Sequence, residues 1–507
     1  MALIKCPACG SDVSSDAPAC PKCGHPIASA NKSSKKLSGG WRLVIIVAII
    51  SIFGFLIPEY GKSGSSDNSR GNHSGSASFS YGESVLYRFR GGTDGDEPSS
   101  LIMDGAGNLY GTTYSGGRSS CPNGCGVVFK LAPDGSGGYT ESVLYRFRGG
   151  SDGDNPSSRL IMDGAGNLYG TARGGGIRNC YHRSTCGVVF KLAPDGSGSY
   201  TESILYRFRG GSDVATPFGR LIMDGAGNLY GTTSGGKGSK CHDSCGVVFK
   251  LAPDASGGYT ESVLYRFRGG SHGDYPSGSL IMDEAGNLYG TTDNGGRSSC
   301  PNGCGVVFKL APDASGGYTE SILYRFRGGT DGDDPSSLIM DSSGNLYGTT
   351  NSGGRRSCDN GCGVVFKLAP DGNGGYTESI LYRFRGGTDG DGPFGSLIMD
   401  GAGNLYGATF LGGTNGSRRE RYYVGDGVVF KLAPDGSGRY TESVLYRFRG
   451  GSDGDNPIGG LIMDSSGNLY GTAGRGGIHT CDHRGCGIVY EIRRHRESSA
   501  SPGPVHN

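Results

Sequence analysis

The residues with the clearest chemical potential are the first four of the 16 cysteines, because they occur as two Cys-x-x-Cys pairs. Cys6 and Cys9 lie in the sequence CPACG, and Cys20 and Cys23 lie in CPKCG. Two such turns can place four thiolates on one Zn²⁺ ion in a tetrahedral site that has no open position for catalysis. The spacing therefore predicts a structural zinc site within residues 1–30, with free or disulfide-bonded cysteines as the alternative.

The other twelve cysteines form six pairs whose members are four to six residues apart. Outside the cytoplasm, pairs this close are expected to form disulfides, whose role would be to fix the shape of a loop. A metal site is the alternative, but it would require two pairs to converge. The pairs are Cys121/Cys125, Cys180/Cys186, Cys241/Cys245, Cys300/Cys304, Cys358/Cys362 and Cys481/Cys486.

One loop that corresponds to these cysteine loops, residues 411–427, contains no cysteine and is longer than the others. Arginine and tyrosine are frequent in recognition surfaces, so this loop is a candidate ligand-binding site. A solvated insertion without a ligand is an equally good interpretation. The candidate ligand-binding residues are Arg418, Arg419, Arg421, Tyr422 and Tyr423.

An Asp-Gly-Asp sequence recurs five times, and it could supply oxygen ligands to Ca²⁺. The first aspartate of each copy comes shortly after an Arg-Phe-Arg sequence. Turn formation combined with Arg–Asp pairing is therefore the favoured interpretation, and a Ca²⁺ site is the weaker one. The five copies begin at Asp94, Asp152, Asp331, Asp389 and Asp453.

These groups are embedded in an internal repeat, which is the dominant feature of the chain. The sequence Asn-Leu-Tyr-Gly occurs seven times, with starts that are 58 to 64 residues apart, and Leu-Tyr-Arg-Phe also occurs seven times. The copies of the first start at Asn108, Asn167, Asn228, Asn287, Asn345, Asn404 and Asn468.

Each repeat contains four short runs that are typical of β-strands. In the first repeat they are residues 100–103, 109–113, 127–131 and 141–147, each rich in Val, Leu, Tyr, Phe or Thr and bounded by Gly, Asp, Pro or Asn. Four strands joined by short turns form an antiparallel sheet of the size of one propeller blade.

The ends of the array at residues 81–492 complement each other. It begins with a lone fourth strand, residues 83–89, and ends after three strands without a fourth. If the first strand joins the last sheet, the result is an all-β, seven-bladed propeller without exposed strand edges. An open solenoid is the alternative, and the tail at residues 493–507 is expected to be disordered.

A membrane-spanning helix is predicted at residues 41–60, between a basic linker at 31–40 and a Gly/Ser-rich linker at 61–80. Trp41 and Tyr60 lie where interfacial aromatic residues are expected. The cationic excess before the span places the N-terminus in the cytoplasm and the repeats in the periplasm or outside the cell. A cleaved signal peptide is the alternative. The cationic residues are Lys32, Lys35, Lys36 and Arg42.

The composition of the chain favours a turn-rich fold and argues against one class of partner. The 507 residues include 99 glycines, which is consistent with many tight turns, and the net charge of +1 argues against a nucleic-acid partner.

Two known families resemble these patterns. The CPxCG pairs resemble the short bacterial zinc ribbons. GNLYGTT, GVVFKL and LYRF resemble the Gloeobacter/Verrucomicrobia-type tandem repeat, whose members have diverse membrane or surface anchors. The resemblance implies an exported, propeller-like array and brings no catalytic motif.

The function predicted from the sequence is a membrane-anchored binding or scaffold protein without catalytic activity, with an unknown protein or glycan as its ligand. The near-identity of the repeats motivates this prediction, because catalysis requires unlike groups that converge on one point. The alternatives are a propeller enzyme of the lactonase or lyase type and a transmembrane sensor that signals through the zinc ribbon.

Overall fold

The computed structural model describes residues 3–5, 12–14, 79–117, 121, 124–180, 183–210, 215–235, 245–296, 300–355, 357–358, 361–413, 418–419, 422–423, 425–478, 481 and 485–496. The chain divides into two compact units, Met1–Ser74 and Gly75–Asn507.

In the N-terminal unit, the strand Leu3–Lys5 pairs antiparallel with Asp12–Ser14. The four cysteines of the predicted zinc site lie outside the described residues, and so does the predicted membrane span at 41–60. In the parts of the chain that are described, no helix is both long and apolar enough to cross a bilayer.

Among the described residues, the second unit contains seven antiparallel sheets of four or five strands, one for each repeat, and their strands run in order from the innermost to the outermost. Two short hairpins, Arg178–Cys180 with Arg183–Thr185 and Arg418–Arg419 with Tyr422–Tyr423, lie outside these sheets. The innermost strands, three of them interrupted, are Asp96–Met103, Asp154–Pro156 with Ile161–Met162, Ala215–Pro217 with Ile222–Met223, Ile281–Met282, Asp333–Met340, Asp391–Met399, and Asp455–Pro457 with Ile462–Met463. The second strands are Leu109–Ser115, Leu168–Gly174, Leu229–Gly235, Leu288–Thr292, Leu346–Ser352, Leu405–Leu411 and Leu469–Arg475.

The two outer positions of each sheet differ in burial, and their sequences show why. The third strand reads VVFKL and is buried almost throughout because both of its faces contact neighbouring blades, whereas the fourth alternates between exposed and half-buried residues. The third strands are Val127–Pro133, Val188–Pro194, Val247–Pro253, Val306–Pro312, Val364–Pro370, Val428–Pro434 and Ile488–Arg496. The fourth strands are Tyr139–Arg146, Tyr200–Arg207, Tyr259–Arg266, Tyr318–Arg325, Tyr376–Arg383, Tyr440–Arg447 and, in the last blade, Phe79–Arg88.

The fourth strand of the last blade comes from the start of the array. Phe79–Arg88 pairs antiparallel with Ile488–Arg496, with Glu83 opposite Ile492. The paired segment begins two residues before the expected start at residue 81 and ends four residues after the expected end at 492. The backbone hydrogen bonds of this pair therefore extend strand structure into the charged start of the tail.

The hydrophobic core lies between the blades. The phenylalanine of each LYRF sequence contacts an aromatic ring on the third strand of the next blade, and the ring centroids are 5.0–5.2 Å apart in edge-to-face geometry. The contact between the last and first blades is Phe89–Phe129, and it belongs to a cluster that also contains Leu101 and Val489. Aromatic contacts therefore connect each blade to its neighbour around the propeller.

The glycine of the Asn-Leu-Tyr-Gly sequence allows this packing. A Cβ atom on Gly111 would lie 2.5 Å from Cζ of Phe129 on the neighbouring strand, which is too close for any side chain. The same close approach recurs at Gly170 and Gly231.

Candidate functional site

A cavity of about 410 Å³ lies at the centre of the propeller, and residues of all seven blades line it. The lining comes from the innermost strands and from the ends of the second strands. The predicted innermost strand at 100–103 is too short, because the observed strand begins at Asp96 and includes Pro98 and two serines. Proline and serine resemble loop residues in a sequence, so the pattern concealed the part of the strand that lines the cavity.

Two positions of the repeat bring different side chains to the cavity region. The first, here the pre-proline position, is the residue before the proline of the innermost strand. The second, here the strand-two position, follows the Gly-Thr-Thr type sequence of the second strand. The pre-proline residues are Glu97, Asn155, Thr216, Tyr275, Asp334, Gly392 and Asn456, and the strand-two residues are Tyr114, Arg173, Ser234, Asp293, Asn351, Phe410 and Gly474.

The pre-proline residues have an unusual backbone conformation. All six that are not glycine have φ between 55° and 64°, and Gly392 has φ of 61°. The left-handed region is rarely adopted by residues other than glycine, and Thr216 is β-branched, which makes it a clear outlier. Such conformations persist only where the surroundings enforce them, and they concentrate at functional sites.

The neighbouring blade holds each pre-proline residue in place. Its N–H donates a hydrogen bond to a carbonyl at the end of the preceding blade's cysteine loop, for example Glu97 to Cys486 at 3.2 Å and Asp334 to Cys304 at 3.3 Å. In the loop without cysteines, Asp426 takes this place and accepts from Asn456 at 3.1 Å. The carbonyls of the cysteine loops therefore position cavity residues.

Four disulfides of these loops are described, and each joins the two members of one sequence pair. Cys186 and Cys245 are also disulfide-bonded, while Cys241 and the side chain of Cys180 lie outside the described residues. The four described bonds are Cys121–Cys125, Cys300–Cys304, Cys358–Cys362 and Cys481–Cys486.

The cysteine-free loop contains two short paired strands, Arg418–Arg419 and Tyr422–Tyr423. Arg421 and the side chains of the other four candidate residues lie outside the described part of the structure, so their role in ligand binding stays a prediction. The pre-proline and strand-two positions were not predicted from the sequence, because the predicted binding residues lie in the loops. Both positions could have been recognised because a single residue differs from repeat to repeat within a nearly constant sequence. These sequences are GTTx and DxP, where x is the variable residue.

The first aspartate of the Asp-Gly-Asp sequences is engaged by its own blade. Asp94 accepts hydrogen bonds from the Tyr87 hydroxyl at 2.8 Å and from Nε of Arg90 at 2.9 Å. The Arg385–Asp389 pair has the same geometry, also at 2.9 Å. This is the Arg–Asp pairing that the sequence favoured over a calcium site.

The second and third blades give the cavity a cationic sector. Arg159 and Arg220 occupy the position before the leucine of the innermost strand, where four other blades have Ser100, Ser279, Ser337 and Ser396. Arg173 lies with its guanidinium 4.7 Å from the centroid of the Phe218 ring.

The arginines of this sector have buried nitrogen atoms without partners in the described part of the chain. The Nε atoms of Arg159, Arg173 and Arg220 are buried and have no hydrogen-bond partner among the described residues. Burial, together with the nearby charge of Arg220, lowers the pKa of Arg159 to about 9, and burial also lowers the pKa of Arg220. Both side chains remain cationic at neutral pH, and their mutual repulsion favours an anion between them.

The fourth and fifth blades give the cavity an acidic pair. The carboxyl groups of Asp293 and Asp334 both line the cavity and lie within hydrogen-bond reach of each other. The Ser277 hydroxyl donates to Oδ1 of Asp293, and Nδ2 of Asn351 donates to Oδ2 of Asp334 at 3.3 Å. Burial and the charge of Asp334 raise the pKa of Asp293 well above its usual range, and burial raises that of Asp334.

The sixth and seventh blades supply an apolar sector, which contains Phe394, Phe410 and Ile458. Phe394 is 41% exposed, which is unusual for a phenylalanine in this protein. An exposed apolar surface inside a concave site is typical of ligand binding.

These features define the class of protein: a seven-bladed β-propeller whose central cavity has cationic, acidic and apolar sectors. The chain belongs to the Gloeobacter/Verrucomicrobia repeat family, whose model matches residues 72–242, 181–417 and 355–500. A zinc-ribbon family model matches residues 2–27, in agreement with the resemblance of the CPxCG pairs. No curated protein matches the sequence.

Several solved structures resemble this chain at low sequence identity. A catalytically inactive virginiamycin B lyase from Staphylococcus aureus, crystallised with quinupristin, is 13% identical, with a TM-score of 0.48 over 82% of this chain and 99% of that one. A gluconolactonase from Xanthomonas campestris is 14% identical, with a TM-score of 0.34 over 61% and 82%. The surface component PorZ of Porphyromonas gingivalis is 14% identical, with a TM-score of 0.45 over 81% and 48%.

The prediction that the protein has no catalytic activity is wrong. Enzymes are among the solved structures that resemble this chain, although likeness at this level assigns no activity to it. The physical basis of the prediction also fails, because near-identical blades do not give the cavity like groups. Arg159 and Asp293 come from different blades and line one cavity, so unlike groups converge as catalysis requires.

Proposed function

We propose that the central cavity is the active site of the propeller and that its substrate is a small organic anion with an apolar group. Three arginines whose buried Nε atoms have no hydrogen-bond partner among the described residues carry this proposal. A buried charge without a partner costs several kcal/mol, and an anion that accepts charge-assisted hydrogen bonds would remove most of that cost. Phe394 and Ile458 offer a surface for the apolar group.

The first experiment measures anion binding through the melting temperature. Phenylacetate and sulfate should raise the melting temperature of the wild type, because a ligand that binds the native state stabilises it. The uncharged phenylacetamide should not. In the double variant Arg159→Ser/Arg220→Ser the effect of both anions should disappear. Serine is the residue that the repeat itself has at Ser279 and Ser337, so the blades should still fold.

The control and a second measurement separate binding from folding. Arg207→Ser changes an exposed arginine whose Nε donates to the Ser151 carbonyl at 3.2 Å, and this variant should keep the anion response. Without added anion, the double variant should melt about 1–3 °C higher than the wild type, because it removes two uncompensated charges. A lower melting temperature, or a wild type that neither anion stabilises, would contradict the proposal.

We also propose that the chain is anchored in the cell membrane by residues 41–60, with one structural zinc ion held by Cys6, Cys9, Cys20 and Cys23 in the cytoplasm and the propeller outside. Disulfides in the propeller support an oxidising compartment, whereas zinc thiolates require a reducing one. In intact cells, a membrane-impermeant thiol reagent should label propeller cysteines only after reduction. Labelling of Cys6 or Cys23 before lysis would contradict this orientation.

Finally, we propose that the strand Phe79–Arg88 closes the ring. Its pairing with Ile488–Arg496 and the contact of Phe89 with Phe129 support this role, because together they join the last blade to the first. Closure would cover the edge of Ile488–Arg496 that is otherwise unpaired.

A further inference from the structure

We propose that Asp293 and Asp334 are the proton-transfer pair of the central cavity and that they hydrolyse an ester bond in the organic anion bound there. This inference rests on the proposed function and adds the reaction and the groups that perform it. The two residues are the strand-two residue of the fourth blade and the pre-proline residue of the fifth, so neighbouring blades bring them together.

A hydrogen bond between two carboxyl groups requires that one of them carries a proton. The pair therefore holds an acid and a base side by side, which is the arrangement that general acid–base catalysis uses. The other acidic side chains that face it are Asp274, whose charge raises the pKa of Asp293, and Asp333, beside Asp334. These neighbours favour retention of the shared proton at neutral pH.

The surroundings determine which of the two aspartates holds the proton. Asp293 receives the Ser277 hydroxyl hydrogen bond, and its backbone N–H donates to the Tyr275 carbonyl at 3.1 Å. Asp334 has φ of 62°, and Asn351 donates to its Oδ2 atom. Burial and the nearby charge of Asp274 disfavour the ionised form of Asp293, so Asp293 is the member that holds the proton and Asp334 is the ionised member.

The reaction balances without any further reactant except water. Asp334 accepts a proton from water as the water oxygen forms a bond to the acyl carbon of the ester. The bond between that carbon and the leaving oxygen breaks, and Asp293 gives its proton to the leaving oxygen. The products are a carboxylic acid and an alcohol, and the proton on Asp334 returns to Asp293 through their hydrogen bond.

The arginines have a separate task in this scheme. Arg159 and Arg220 hold the anionic group of the substrate, and that group is distinct from the ester that is cleaved. Loss of the arginines should therefore raise KM, while loss of the aspartates should lower kcat.

The test uses the full-length protein and two groups of variants. Asp293→Ser and Asp334→Asn introduce the residues that other blades have at Ser234 and at Asn155, so the propeller should fold. The substrate probe is phenyl hydrogen succinate, an ester with a free carboxylate, and phenyl butyrate is its uncharged counterpart. The wild type should hydrolyse the anionic ester faster than the neutral one.

Three results are expected. Asp293→Ser should lower kcat about 100-fold or more with little change in KM, whereas Arg159→Ser/Arg220→Ser should raise KM. The infrared difference spectrum of the wild type minus Asp293→Ser should contain the band of a protonated carboxyl group at neutral pH. Asp313→Asn, in an exposed turn, should leave both activity and this band unchanged.

Other results would overturn the inference and leave the proposed function standing. The first is a wild type that is stabilised by phenylacetate but does not cleave the ester. The second is a difference spectrum without the band of a protonated carboxyl group. The third is stabilisation by Ca²⁺ or Mg²⁺ that Asp293→Ser abolishes, because the pair would then be a cation site. Failure of phenylacetate and sulfate to bind would instead contradict the proposed function itself.

Discussion

The two ends of a blade differ in how much their sequence varies. At one end, the turn between the innermost and second strands has the same hydrogen bonds in every blade. Asp104 accepts from the backbone N–H groups of Ala106 and Asn108, both at 2.9 Å, from Nδ2 of Asn108 at 2.7 Å and from the Tyr110 hydroxyl at 3.0 Å. The equivalent aspartates are Asp163, Asp224, Asp283, Asp341, Asp400 and Asp464.

At the other end, which lines the cavity, the pre-proline and strand-two positions bear nine residue types, among them arginine, aspartate, glutamate, asparagine, tyrosine, phenylalanine and glycine. The fold needs the turn aspartate because it satisfies several backbone and side-chain donors at once. It needs only a backbone N–H at the pre-proline position, since the bond to the preceding blade does not involve the side chain. The side chains that the fold does not require are therefore the ones that are free to serve a ligand.

Removal of the strand Phe79–Arg88 should have the largest effect on stability, because it removes one of the four strands of a blade. The deletion exposes the edge of Ile488–Arg496, so we expect a loss of several kcal/mol in stability, or aggregation. Melting curves and size-exclusion chromatography would measure this. Deletion of residues 497–507 is the control. A deletion variant that remains monodisperse with an unchanged melting temperature would contradict ring closure by this strand.

Asp104→Ala should have a smaller effect, limited to one turn. Burial alone would raise the pKa of Asp104, but the hydrogen bonds from Asn108 and Tyr110 outweigh it and lower the pKa, so the ionised carboxylate stabilises the turn. Its loss should cost about 2–3 kcal/mol in chemical denaturation.

The matched control for Asp104→Ala is Asp134→Ala in the exposed turn before the fourth strand, which should cost less stability than Asp104→Ala because solvent screens an exposed carboxylate. If the two variants lose equal stability, partial burial does not determine how much a turn carboxylate contributes to stability.

The pH dependence of stability should be the smallest of the three effects. Burial and a neighbouring aspartate raise the pKa of four glutamates of the fourth strands to about 7 and that of Glu83 to about 6. The folded protein thus binds these protons more tightly than the unfolded chain does, so stability should fall as the pH rises from about 5 to 8. The four glutamates are Glu141, Glu202, Glu378 and Glu442.

Melting temperatures across this pH range would measure the effect, and Glu141→Gln should weaken it. Glu284→Gln, which changes an exposed turn residue present in one blade only, should not alter the pH profile. A melting temperature that rises with pH over this range would contradict the assignment.

Much of the framework could be predicted from the sequence. The seven copies of Asn-Leu-Tyr-Gly indicated seven sheets, and the second and third strands begin at the predicted residues, Leu109 and Val127 in the first blade. These elements are predictable because their signals are local: apolar runs of strand length between turn residues. The innermost strand was less predictable, because Pro98 and Ser99 lack that signal.

The sequence by itself determined the repeat, the order of the strands and the close cysteine pairs, since each depends on neighbours within one repeat. Only the tertiary structure decided that Asp293 and Asp334 form a pair, and that Arg159 and Arg220 line the same cavity. The reason is geometric: a propeller brings one short segment of every blade to a common axis, so residues about 40 to 60 positions apart become neighbours. No local pattern records that convergence.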